Sequence, residues 1–174
     1  GTFKSDQSKY EPLRGYVPCI TTSAVQTTPD WATARFIPSE CLRNDKQVLQ
    51  SGDILVSTAN SKAIVGKSCI IDELPFSCTF GAFVTTLRPN HEVNQLWLYN
   101  CLQSDYSKSF FYDKSSNTTN ISNLKVSDLM ELTIPLPPLA EQERIASMLN
   151  EQMASVEQVS ASIQQELDTI DAMP

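Results

Sequence analysis

The sequence predicts an α+β fold: a mixed body of short strands and helices, followed by one long C-terminal helix. Three observations carry that expectation. Short β-type runs separated by turn residues occupy roughly the first half of the chain. Leu98, Leu102, Tyr106 and Phe110 then recur every four residues, the spacing of one helix face. Last, Pro135, Pro137 and Pro138 interrupt the chain, and no Gly or Pro follows until Pro174.

Taken in order, β-type runs are predicted at Tyr16–Thr21, Ala34–Ile37, Asp53–Ser57, Ile64–Ile71 and Phe76–Leu87. Ser51-Gly52-Asp53, Ala59-Asn60-Ser61 and Arg88-Pro89-Asn90 supply the turns. A core helix is expected from Val93 to Phe111, with Trp97 and Phe111 filling the core. Asp113–Asn120 reads as a polar loop, Leu124–Met130 as a short helix and Leu132–Leu136 as extended chain. Residues 1–134 then form the body, 135–138 a stiff proline connector, and 139–174 the long helix.

That helix, about 50 Å long at 1.5 Å per residue, is too long for the body to cover, so part of it should project. Ala146, Leu149, Met153, Val156, Ser160, Ile163, Leu167 and Ile170 follow alternating spacings of three and four. This is a coiled-coil seam interrupted only by Ser160, and length with spacing favours pairing with a second long helix over an amphipathic helix lying on its own domain. Residues 141–174 carry seven acidic groups against Arg144 alone, so most of the net charge of −7 lies there. The nearly neutral body leaves room for a local basic face.

Composition limits the function classes. Apolar residues make up 41% and charged residues 19%, which excludes a disordered chain. No apolar run approaches the ~20 residues of a membrane span. With no basic-then-apolar leader segment, a cytoplasmic protein is expected. Five cysteines, Cys19, Cys41, Cys69, Cys78 and Cys101, form no C-x-x-C pair and are expected as reduced thiols, without a metal site. His91, the single histidine, lies in the turn Arg88–His91 with no nucleophile pattern around it. Gly66-Lys67-Ser68 resembles the end of a phosphate loop, but Ser61 stands where the earlier glycine is required. A hairpin exposing Lys67 is expected instead. No catalytic residue, cofactor loop or metal ligand set is predicted.

The segment Ile134-Pro135-Leu136-Pro137-Pro138-Leu139-Ala140-Glu141-Gln142-Glu143-Arg144-Ile145, leading into a long helix, resembles the conserved segment of the DNA-specificity subunits of type I restriction–modification systems. Gly52-Asp53-Ile54-Leu55-Val56-Ser57 resembles a strand of their target-recognition domains, with Gly66-Lys67-Ser68 at the matching turn. Asn120-Ile121-Ser122 followed by Leu124 fits the same order, so the resemblance runs along the whole chain. It implies a target-recognition domain over residues 1–134 and a helix that packs into an antiparallel coiled coil. A usual family member has two such domains and two helices. This chain resembles half of one, and Gly1-Thr2-Phe3 resembles a point slightly inside a recognition domain.

The resemblance further implies sequence-specific binding of double-stranded DNA at a bipartite target, without catalysis. Methylation and restriction subunits would be the partners, and S-adenosylmethionine would bind the methylation subunit. A homodimer would use Ala146, Leu149, Met153, Val156, Ile163, Leu167 and Ile170. The candidate DNA contacts are Lys62, Lys67, Lys114, Ser115, Asn117, Thr119 and Asn120, because short polar side chains read base edges and lysines meet phosphates. The rival readings are a coiled-coil adaptor whose body does not touch DNA and, more weakly, an enzyme whose site the sequence does not display.

Overall fold

A computed structural model describes residues 11–42, 44–74, 76–118 and 121–171. The strands are β1 (Tyr16–Ile20), β2 (Arg35–Pro38), β3 (Ile54–Ser57), β4 (Ala59–Asn60), β5 (Ser68–Ile70), β6 (Thr79–Phe80), β7 (Val84–Leu87), β8 (Ser116–Thr118) and β9 (Ile121–Asn123). The helices are α1 (Gln95–Gln103), α2 (Asp105–Lys114), α3 (Val126–Leu129) and α4 (Leu139–Asp171). Among the described residues these strands form three small sheets, ordered β2-β1-β6, β5-β3-β7 and β4-β9-β8.

The centre is β3, whose four residues are all buried. A strand buried on both faces reads as a continuous apolar run, which is how Ile54-Leu55-Val56 stands in the sequence. Its neighbours β5 and β7 both pair antiparallel, with Leu55 opposite Cys69 and Thr86. Alternation sends Leu55 into one core and Ile54 and Val56 into another. The first core, with Ile20, Ala34, Cys69 and Cys78, lies between this sheet and β1. The second, with Leu102, Phe111, Leu124 and Leu129, lies between the sheet and the helices. Burial pushes the Cys19, Cys69 and Cys78 thiols up to about 12.

Several expectations are corrected. The run Ile64–Ile71 is strand only over Ser68–Ile70, because residues 61–66 turn back on themselves through Val65 N–H to Ser61 C=O. The run Phe76–Leu87 divides into β6 and β7 around Gly81. The single helix expected from Val93 to Phe111 is two. Ser104, at ψ 152°, ends α1 and caps α2 by accepting from Ser107 N–H. The break rotates the phase, so Tyr106 is 62% exposed while Phe111 takes the core position. Trp97 is half-buried, and its indole N–H donates to the Pro135 carbonyl at 3.1 Å. The polar loop is shorter than expected: Asp113 and Lys114 close α2, and β8 pairs with β9.

Asp53 is a buried carboxylate held by a partner the sequence did not reveal. Arg88 Nε and Nη2 donate to its two oxygens at 2.7 and 2.8 Å, and Gln50 N–H donates to Oδ2 at 2.7 Å. The hydrogen bonds to Asp53 raise the Arg88 guanidinium above its ordinary value. The pair staples the loop before β3 to the end of β7. His91 is exposed in its turn, as expected.

Candidate nucleic-acid interface

The expected contact residues come from two segments far apart in sequence, and one small sheet joins them. β4, just before the Lys62 loop, pairs with β9, with Ala59 opposite Asn123 and Asn60 opposite Ser122. β9 pairs in turn with β8, with Asn117 opposite Ser122. The loop 61–67 and the paired strands β8 and β9 therefore share one edge of the body. Lys62 Nζ closes the junction by donating to the Ser115 carbonyl at 3.1 Å, and it lies 4.5 Å over the Tyr112 ring.

Each expected residue has a distinct setting. Lys62 is half-buried and already has these two partners. Lys67 is half-buried rather than exposed, which corrects the hairpin expectation, and burial lowers its ammonium from the ordinary value. Lys114 is exposed and ion-paired to Glu131 at 2.5 Å, which raises its ammonium. Ser115 is buried, and its hydroxyl donates to the Tyr112 carbonyl at 3.0 Å. That removes it as a base-reading side chain, because its hydroxyl is spent on the end of α2. Asn117 is placed in β8 by its backbone alone. Thr119 and Asn120 lie outside the described residues, as do Gly1-Thr2-Phe3.

Beside this edge runs a cleft of about 480 Å³, between the loop 62–67 and α2. Lys62, Lys67 and Lys108 line it with Gln103, Ser109 and Tyr112. Lys108, exposed on α2, was not among the expected contacts because it was read as part of a core helix.

Gly66 explains why a glycine precedes Lys67. Its φ is +86°, and a Cβ there would stand 2.3 Å from Phe111 Cδ2. A left-handed backbone and contact with a buried ring both demand glycine. The resemblance of Gly66-Lys67-Ser68 to a phosphate loop is thus a packing feature.

The seam on α4 is divided. Ala146 is buried against the body, so its expected place in an intermolecular seam is corrected: its partners are in its own chain. Leu149 is half-buried. From Asn150 to Ile170 every residue is exposed, leaving Met153, Val156, Ile163, Leu167 and Ile170 as an uncovered apolar stripe.

A further residue emerges at the start of that stripe. One step of four back from Ala146 lies Gln142, fully buried. Its Oε1 accepts from Asn94 N–H at 2.9 Å, and its Nε2 donates to the Pro137 and Glu92 carbonyls at 2.8 and 3.1 Å. A polar side chain on a buried helical stripe needs partners, but nothing local in the sequence says that this turn of the helix is buried.

The α+β body thus carries a lysine-bearing edge and is extended by a long helix with an uncovered apolar stripe. The model for the type I restriction modification DNA specificity domain matches residues 3–168, and the chain belongs to that family. It is 30% identical over 169 residues to the type I restriction enzyme StySPI specificity subunit of Salmonella potsdam, and equally to the EcoKI specificity subunit of Escherichia coli K12. In both cases the match covers 94% of this chain and 35% of the relative, so the chain spans about a third of those proteins' length.

Solved structures share the fold. A chain from a structure concerned with complex assembly and conformational transition of the type I R-M system superposes with a TM-score of 0.67 at 24% identity. That match covers 96% of this chain and 38% of the other. The HsdS subunit from Thermoanaerobacter tengcongensis gives 0.63 at 19% identity, over 89% of this chain and 41% of the other. Among the described residues no helix is long and apolar enough to cross a membrane.

Proposed function

We propose that this chain is the DNA-reading module of a type I restriction–modification specificity subunit. It directs methylation and restriction subunits to a bipartite target and performs no chemistry of its own. The observation that carries this is the β4–β9 pairing, which brings the Lys62–Lys67 loop and the strands β8 and β9 to one edge in a chain of the DNA specificity family. Lys67 and Lys108 would meet phosphates, which are sequence-blind, whereas Asn117, Thr119 and Asn120 would read base edges. Lys62 would contribute charge while keeping its internal partners, and Lys114 less, because it is ion-paired to Glu131. A purely adaptor role leaves this edge without a purpose and is the less favoured reading.

S-adenosylmethionine would bind the methylation subunit, and the assembly would work in the cytoplasm. The exposed stripe from Met153 to Ile170 supports pairing with a second copy, giving a two-fold dimer that presents two reading domains to inverted half-sites. The test is co-purification with a methylation subunit, followed by mapping of methylated sites. A reproducible bipartite motif is expected. Loss of methylation specificity on exchanging residues 1–134 for another family member's would support the reading. An unchanged motif after that exchange would refute it.

A further inference from the structure

The grip of Gln142 on the body points to a role beyond stability. Its side chain satisfies three main-chain groups, from Glu92, Asn94 and Pro137. Two of these lie in the turn leading into α1, and Asn94 is the N-cap of α1, accepting from Trp97 N–H at 3.0 Å. The third belongs to the proline connector. A second tie reaches the same connector, from Trp97 Nε1 to the Pro135 carbonyl. These bonds add directional ties at the connector to the packing of Ala146 and Leu149 against the body.

From that grip a rigid path leads to the reading edge. α1 has nine residues and spans about 13 Å. At its far end Gln103 Nε2 donates to the Ser68 hydroxyl at 2.9 Å and carbonyl at 3.3 Å, beside Lys67. Ser104 then joins α1 to α2, which lines the lysine cleft. Latch, rod and reading loop are thus hydrogen-bonded in series.

We infer that Gln142 is a positioning residue that holds the reading domain at a fixed angle to α4, and so limits which half-site spacings the assembly accepts. The inference rests on the bipartite reading proposed above. Successive base pairs differ by about 35° in rotation and about 3.4 Å in rise. A hinge of half that angle between body and helix would let a neighbouring spacing be read nearly as well. Base preference within each half-site is set at the reading edge and should not depend on the latch.

The test compares spacer lengths among methylated sites for the full complex carrying the native chain, Gln142→Met, Trp97→Phe or Leu129→Ala. Methionine keeps the bulk of Gln142 without its amide. Trp97→Phe keeps a ring but removes the bond to Pro135. Leu129→Ala opens the second core while leaving the hydrogen bonds to the connector in place, and controls for lost stability. With Gln142→Met, methylation at spacers one base pair longer and shorter should rise at least tenfold, with unchanged bases in each half-site. Trp97→Phe should broaden the distribution less, and Leu129→Ala not at all despite a lowered melting temperature. A native spacer distribution in Gln142→Met, or equal broadening in Leu129→Ala, overturns the inference. If Gln142→Met does not accumulate, an unbroadened Trp97→Phe overturns it. A native complex that methylates without any bipartite motif refutes the functional reading itself.

Discussion

Replacing Gly66 with alanine isolates one physical demand of this fold. The residue sits at φ +86°, where an L side chain costs ~1–2 kcal/mol of backbone strain. The new Cβ would lie 2.3, 2.7 and 3.0 Å from Phe111 Cδ2, Cγ and Cβ. Phe111 is 1% exposed within the second core, so its ring has little room to withdraw. Overpacking of this kind costs a further ~1–3 kcal/mol. Together the penalty is about 2–5 kcal/mol, against a total stability on the order of 5–15 kcal/mol. Urea unfolding of Gly66→Ala should show a midpoint lowered accordingly. The two contributions separate in a double-mutant cycle with Phe111→Ala, which removes the ring and Cγ and leaves only the Cβ at 3.0 Å. In that background Gly66→Ala should cost mainly the backbone strain, leaving a coupling of about 1–3 kcal/mol. A Gly66→Ala penalty below about 1 kcal/mol, or one unchanged by Phe111→Ala, would refute the reasoning.

Asp53→Asn removes one charge of a pair whose carboxylate is fully buried and should cost ~3 kcal/mol, the low end for such pairs because Arg88 is 39% exposed and can rehydrate; thermal unfolding reads it, and a loss under a quarter of that contradicts the pairing. The thiols Cys19, Cys69 and Cys78 keep their protons to about 12 when folded but release them near 9.0 when unfolded. Their contribution is therefore complete below pH 9.0 and is lost as pH rises toward 12, with a slope of up to ~1.4 kcal/mol per thiol per pH unit. Urea midpoints should fall between pH 8 and pH 10.5, less steeply in Cys78→Ala, and equal slopes would count against the thiols. Lysine at both Val156 and Ile163 should leave a monomer by light scattering with an unchanged melting transition of the body, whereas a surviving dimer would place the interface elsewhere. Lys67→Ala should weaken binding of all DNA sequences alike and reduce the salt slope by ~1. Lys114→Ala should do less, because Glu131 already neutralises that ammonium.

The sequence by itself determined the features that depend on neighbours along the chain. The long helix spans Leu139–Asp171, as its unbroken run of helix formers and the prolines before it require. Its projection followed from length alone, since a helix of 33 residues outruns a body this small. The β-type run at Asp53–Ser57 announced a strand, realised as Ile54–Ser57. Gln142, one step of four before Ala146, was not singled out, because nothing local says that this turn of the helix is buried.

Tertiary structure decided what depends on residues distant in sequence. Ser104 could not be recognised as a helix break, because serine is tolerated within helices and only the packing of Leu102 and Phe111 chooses the phase on each side. The Asp53–Arg88 pair spans 35 residues, and no local pattern selects a carboxylate's distant cation. Lys62, Lys67, Lys114 and Ser115 share polarity and loop position in the sequence. Packing separates them: it buries Ser115, pairs Lys114 with Glu131, rests Lys62 on Tyr112 and leaves Lys67 half-buried in the cleft with Lys108. The seam from Ala146 to Ile170 is uniform as a pattern, but only its first turns are covered, because the body ends there and the helix does not.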